Sequence, residues 1–207
     1  QNLIKKCDKA PSMLHFTSKI SHNINAEHCC TIVIHNAIFL NSMAKYGGSI
    51  YSYNIGTVIL NMSQLVGNRA VKHGGGIFDR KSKHLYIFNS NFTHNVEIKD
   101  GYGALSFTKS DTIFMYQCNV FENSGATWGG GVFVFKTNKS VIINCYFVRN
   151  KGRFGAAVYI NRCPLSLIKN TVFNRNKATE DGGAFCFILS SNIIALKLQL
   201  IQNTALR

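Results

Sequence analysis

Leu65–Phe78 reads LVGNRAVKHGGGIF: a large apolar residue three places before an asparagine, a basic turn, then glycines running into Ile77 and Phe78. The order recurs in IFLNSMAKYGGSIY from Ile38, FTHNVEIKDGYGALSF from Phe92 and VFENSGATWGGGVF from Val120. It continues through FVRNKGRFGAAVY from Phe147, FNRNKATEDGGAF from Phe173 and LIQNTALR from Leu200. The anchoring asparagines are Asn41, Asn68, Asn95, Asn123, Asn150, Asn176 and Asn203, spaced 26 to 28 residues apart. A fixed period of this length marks a stacked repeat.

Each unit opens with an apolar run such as TIVIH, HLYIF or SVIIN, passes through large-apolar-x-x-Asn, and closes on a glycine-led strand. Val, Ile, Phe and Tyr dominate these runs, and no 3.6-residue apolar stripe extends beyond two turns, so the segments read as strands. Three short strands per unit make one coil of a right-handed parallel β-helix, an all-β solenoid of about seven rungs with a period of ~27 residues. A leucine-rich repeat would need large apolar residues five before and two after each asparagine. Those places hold mostly small or polar residues, such as Ser63, Ser90 and Thr171, and Ala70, Gly125 and Ala178. The calcium-binding G-G-x-G-x-D nonapeptide is absent as well.

Strand alternation orients the columns. Ile38, Leu65, Phe92, Val120, Phe147, Phe173 and Leu200 are expected to stack inward, with a second inward column at Asn36, Ser63, Ser90, Cys118, Cys145, Thr171 and Leu198. The asparagines form a ladder at a turn, where an amide bonds the neighbouring backbone, and the glycines serve a tight corner. Cys118 and Cys145 share a column in adjacent coils, within disulfide range, or stack as buried thiols.

Residues 1–30 lack the motif pair and read as an N-terminal cap or degenerate rung, with Cys7 a partner for Cys29 or Cys30; residues 31–207 form the solenoid. The unfinished coil after Asn203 leads us to expect more protein beyond it, and a bare end also permits end-to-end self-assembly. At 46% hydrophobic and 15% charged residues the chain folds rather than staying disordered. It contains no membrane-spanning apolar run. Seven cysteines and the N-glycosylation sequons at Asn61, Asn91 and Asn138 point to a secreted, extracellular or cell-surface setting.

The paired F-x-x-N and GGA[ILV] motifs resemble the polymorphic membrane protein repeat of chlamydial autotransporter passengers, also present in secreted proteins of protists and invertebrates; the resemblance covers residues 32–207. It implies a right-handed β-helix exposed on a surface, adhesive or structural, with no shared catalytic residues.

Twenty-three basic against nine acidic residues give a net charge of +14, which attracts polyanions. Lys45, Lys72 and Lys99 share the column four after the asparagine; Arg69, Lys151 and Lys177 follow it, and His94, Arg149 and Arg175 precede it. Together they make a candidate polyanion strip, with solvated lysines as the plainer alternative. Trp128 and Phe154 fall one column apart in adjacent coils, placed either to stack on a sugar or to cover their own loop. The adjacent carboxylates Glu180 and Asp181 read as a solvated turn, and no catalytic residue is assigned. The cluster Glu27-His28-Cys29-Cys30 with His22 lacks C-x-x-C spacing, so neither a metal nor a cofactor is expected. The expected partners are other extracellular proteins, further segments of the same polypeptide, or acidic glycans. Nucleic acid is disfavoured, because no recognition module accompanies the charge.

Overall fold

The computed structural model describes residues 3–6, 13–20, 23–99 and 101–206. They form an all-β parallel solenoid of about seven turns, every strand pairing in parallel with its counterpart one coil away. One coil runs Thr57–Asn61, Gln64–Val66, Arg69–His73 and Ile77–Arg80 before His84–Phe88 opens the next. The coil thus carries a fourth short ladder, directly after the asparagine, in addition to the three expected segments.

Four single residues turn this coil's corners: Met62, Gly67, Gly74 and Lys81, all with φ between 51° and 67°. One left-handed residue between extended segments redirects the chain, and stacked coils must turn at the same places. The third corner is glycine in six successive coils, from Gly47 to Gly182. A Cβ on Gly74 would lie 2.0 Å from the Ile77 carbonyl oxygen, so space as well as φ demands glycine there.

Alternation within strands places Val58, Leu60, Leu65 and Ile77 inside, with equivalents in each coil. Phe39, Leu65, Phe92, Val120, Phe147 and Phe173 stack as one fully buried column, and the Phe147 and Phe173 rings lie 5.1 Å apart at 10°. Removing each such side chain from water stabilises the fold by roughly 1.5–3 kcal/mol. Leu200, in the last coil, continues the column but is 56% exposed.

The first full coil departs from the expected register. The strand Thr31–Leu40 sets Phe39, not Ile38, against Leu65, and Met43 against Arg69. Ser42 therefore stands opposite Asn68, while Asn41 turns the corner that Gly67 turns one coil later. Ala37 likewise replaces Asn36 in the second inward column, donating its N–H to the Ser63 hydroxyl. A bulge between Ala44 and Tyr46 restores the register. Ahead of this coil, Leu3–Lys6 pairs with Ile24–Glu27, and Met13–Ile20 with Thr31–Leu40. Among the described residues no helix is long and apolar enough to cross a membrane.

Candidate functional site

The asparagines from Asn68 to Asn203 form a hydrogen-bonded ladder along the solenoid. Asn123 donates its amide to the Phe92 carbonyl at 2.9 Å and to Asn150 Oδ1 at 3.1 Å. Its own Oδ1 accepts from the Asn95 backbone N–H at 2.9 Å and from the Asn95 amide at 3.1 Å. The pattern repeats at Asn68, Asn95, Asn150 and Asn176, reaching Asn203 at the end. Asn41 lies outside it for the register reason above. These residues are structural, buried at 0% exposure from Asn68 to Asn176, with no face toward solvent.

The basic strip expected around this ladder is not continuous. Lys99 sits one coil on from Lys72, but Lys45 falls in the bulge. Val96 and Ser124 separate Arg69 from Lys151 and Lys177 in their column. Glu122 stands among the cations that precede the asparagines, 3.0 Å from Arg149 and 2.7 Å from His94. Bonding to the Arg149 guanidinium holds the Glu122 carboxyl below its ordinary pKa. Arg175 is occupied by Gln202 at 2.7 Å. The strip divides into Arg69, Lys72 and Lys99 at one end, and Lys151 and Lys177 at the other.

Trp128 and Phe154 share one column as a bridged pair, rather than lying one column apart, and Tyr102 precedes them in it. The neighbouring column, Tyr51, Phe78, Ser106, Phe133 and Tyr159, lacks a ring at Ser106. Tyr102 stacks on Phe133 at 4.2 Å and on His73 at 4.4 Å, nearly parallel to both. Burial lowers the pKa of His73 and raises those of Tyr51 and Tyr159, so these three rings are uncharged at neutral pH.

Cys118 and Cys145 are free thiols, not a disulfide. Neighbouring parallel strands point equivalent Cβ atoms the same way, without the convergence a disulfide needs. Each sulfur instead donates to the carbonyl two residues back, Tyr116 and Ile143. The hydrogen bond with Cys118, then burial, push the Cys145 thiol well above its ordinary pKa, and the same hydrogen bond draws the Cys118 thiol below its own. Cys30 is free and exposed; the bond expected from Cys7, and the His22 position, lie outside the described residues.

Of the sequon asparagines, Asn61 is engaged with His35 at 3.3 Å, and Asn91 accepts from Asn119 at 2.7 Å. Asn138 is exposed at a turn, donating to Asp111 at 3.1 Å. Other acids also hold the coils together. Asp79 is fully buried and accepts hydroxyls from Ser52, Ser82 and Ser110, Glu97 accepts the Ala126 N–H at 2.9 Å, and Glu180 pairs with Arg153. Asp181 is exposed. Among the described residues no group of three or more His, Cys, Asp or Glu side chains is disposed to hold a metal ion.

One column escaped the sequence reading. Lys81, Lys109, Lys136 and Arg162 occupy the fourth corner of four successive coils, each exposed and each linked through its backbone N–H to the coil after it. Their spacing follows the repeat, one like charge per coil at an offset well away from the asparagines, and that periodic charge is the signal the sequence carries for them.

With this geometry in hand, the family model for the right handed beta helix region matches residues 58–205, and the chain belongs to that family. Comparison with curated proteins and with solved structures returns no match.

Proposed function

We propose that the chain is a non-enzymatic β-helix module of a secreted or cell-surface protein, part of a longer polypeptide or assembly, acting as structural material or an adhesive surface through its elongated faces. The observation that carries this reading is the employment of five of the seven described carboxylates. Asp79 is sealed among serine hydroxyls, Glu97 accepts a backbone N–H, Glu122 and Glu180 are ion-paired, and Asp111 holds an asparagine. Glycoside hydrolysis uses two carboxyl groups converging on one bond, about 5–9.5 Å apart across a substrate cleft. The net charge of +14 and the resemblance to the polymorphic membrane protein repeat support display at a surface.

Incubation with neutral and acidic polysaccharides, followed by assay for new reducing ends or unsaturated products, tests it. No turnover together with retention on a cell or matrix surface is the expected result; turnover of any polymer overturns the reading.

A further inference from the structure

Resting on that reading of a non-catalytic surface module, we propose that the corner carrying Lys81, Lys109, Lys136 and Arg162, with the cleft beside it, binds a linear anionic glycan laid along the solenoid axis. Its carboxylates or sulfates would meet one cation per coil.

The four cations lie at successive strand spacings of about 4.8 Å, so the column spans about 14 Å along the axis. Like charges stacked at this spacing repel even in water, and a bound polyanion removes that cost. All four hold left-handed φ, 64°, 58°, 53° and 56°. The first corner of the coils is turned instead by Asn36, Asn89, Gln117, Asn144 and Asn170, among others. Asparagine accepts this conformation more readily than lysine or arginine, although Lys197 at the first corner and Arg149 and Arg175 at the second adopt it too. The column contains no carboxylate; Asp111, two residues after Lys109, is engaged with Asn138, and Asp79, two residues before Lys81, is sealed among serine hydroxyls.

Neighbouring rings set the direction of the cations. Lys81 Nζ lies 5.4 Å from the Tyr53 ring centre, and Lys136 and Arg162 approach Phe135 at 5.3 Å and 5.9 Å. Alongside runs a cleft of about 390 Å³ whose lining includes Arg80, Lys109, Thr108, Tyr51 and Phe135. The other wall includes His73 and Tyr102, the first two rings of a stack that continues through Phe133 and Tyr159 with ring planes within 13° of parallel between neighbours. Tyr102 has both faces covered, so its edge is what remains for a ligand. Ring edges are the positive part of the aromatic quadrupole and suit an anion. Single-stranded nucleic acid, by contrast, needs free ring faces on which bases stack.

The test compares Lys109→Glu/Lys136→Glu with Lys151→Glu/Lys177→Glu, which changes net charge equally on another face. Binding to immobilised heparin and to polygalacturonate is measured across a salt series, with far-ultraviolet circular dichroism to verify folding. The first variant is expected to lose about tenfold or more in affinity and to show a shallower salt dependence, the second to stay within about twofold of the parent. Preference for heparin assigns sulfate and preference for polygalacturonate assigns carboxylate; either supports the site. Equal losses in both variants, or no loss in the first, overturn it. Tighter binding of a single-stranded oligonucleotide, abolished by the first variant, overturns the glycan assignment. Cleavage of a bound glycan would sink the non-enzymatic reading while leaving this site standing, provided the first variant abolishes binding.

Discussion

The asparagine column and the cation column are built by the same rule, one side chain per coil near a corner, and they end in opposite states. An amide carries donors and an acceptor, so Asn123 satisfies the residues on both sides and is satisfied by them. A lysine carries donors only, and stacking Lys81, Lys109 and Lys136 leaves each with a neighbour that repels it. Repetition turns a self-complementary group into scaffold. Applied to a group that is not self-complementary, it leaves a demand that only something outside the solenoid can meet.

Breaking the satisfied column should produce the largest effect. Asn123→Ala leaves the Phe92 carbonyl, the Asn95 N–H and two side-chain amides with lost partners in a buried setting; we expect a loss of about 3 kcal/mol or more in urea unfolding. Asp79 presents an intermediate case, a single buried carboxyl met by hydroxyls. Burial raises its pKa against the opposing pull of the three serines. The folded protein therefore keeps a proton that the unfolded chain gives up. Its contribution to stability falls as pH rises from the ordinary carboxyl value of 3.8 to the raised folded value, and is level beyond. Asp79→Asn should remove that decline, seen as a pH-dependent difference between the unfolding midpoints of variant and parent.

Ser42 stands where the ladder lacks its asparagine, and its hydroxyl is buried without a hydrogen bond. Ser42→Asn extends the ladder by one rung and is expected to raise stability by about 1 kcal/mol in the same assay. The smallest change is expected in the unsatisfied column. Lys109→Asn relieves repulsion and suits the left-handed corner, stabilising the ligand-free protein by less than about 1 kcal/mol. The part due to charge disappears in high salt, whereas the part due to backbone conformation stays.

The period, the inward apolar column and the ladder were legible because burial forces the same answer in every coil: Leu65, Phe92 and Phe147 have nowhere else to point. The first coil misled because Ile38 and Phe39 are both apolar and Asn41 adjoins Ser42, so two registers fit the same columns. Backbone pairing, with its bulge between Ala44 and Tyr46, chose between them. Basic residues beside the ladder suggested a continuous strip, but spacing says nothing about Glu122 lying within reach of both His94 and Arg149. The fourth corner was hidden for another reason. Strand alternation assigns directions only within strands, and Lys81, Lys109, Lys136 and Arg162 are left-handed residues between them.

The ladder after the asparagines also has a mechanical meaning. Between coils the hydrogen bonds point along the axis, so the coils are loaded in series when the molecule is pulled end to end, and the interface with fewest strands in parallel governs its strength. At Ser124 this ladder shrinks to single bridges with Val96 and Lys151, and the strand pairing on either side stops. Among the coils from Met43 onward, tension should open the solenoid there first, parting it into two blocks.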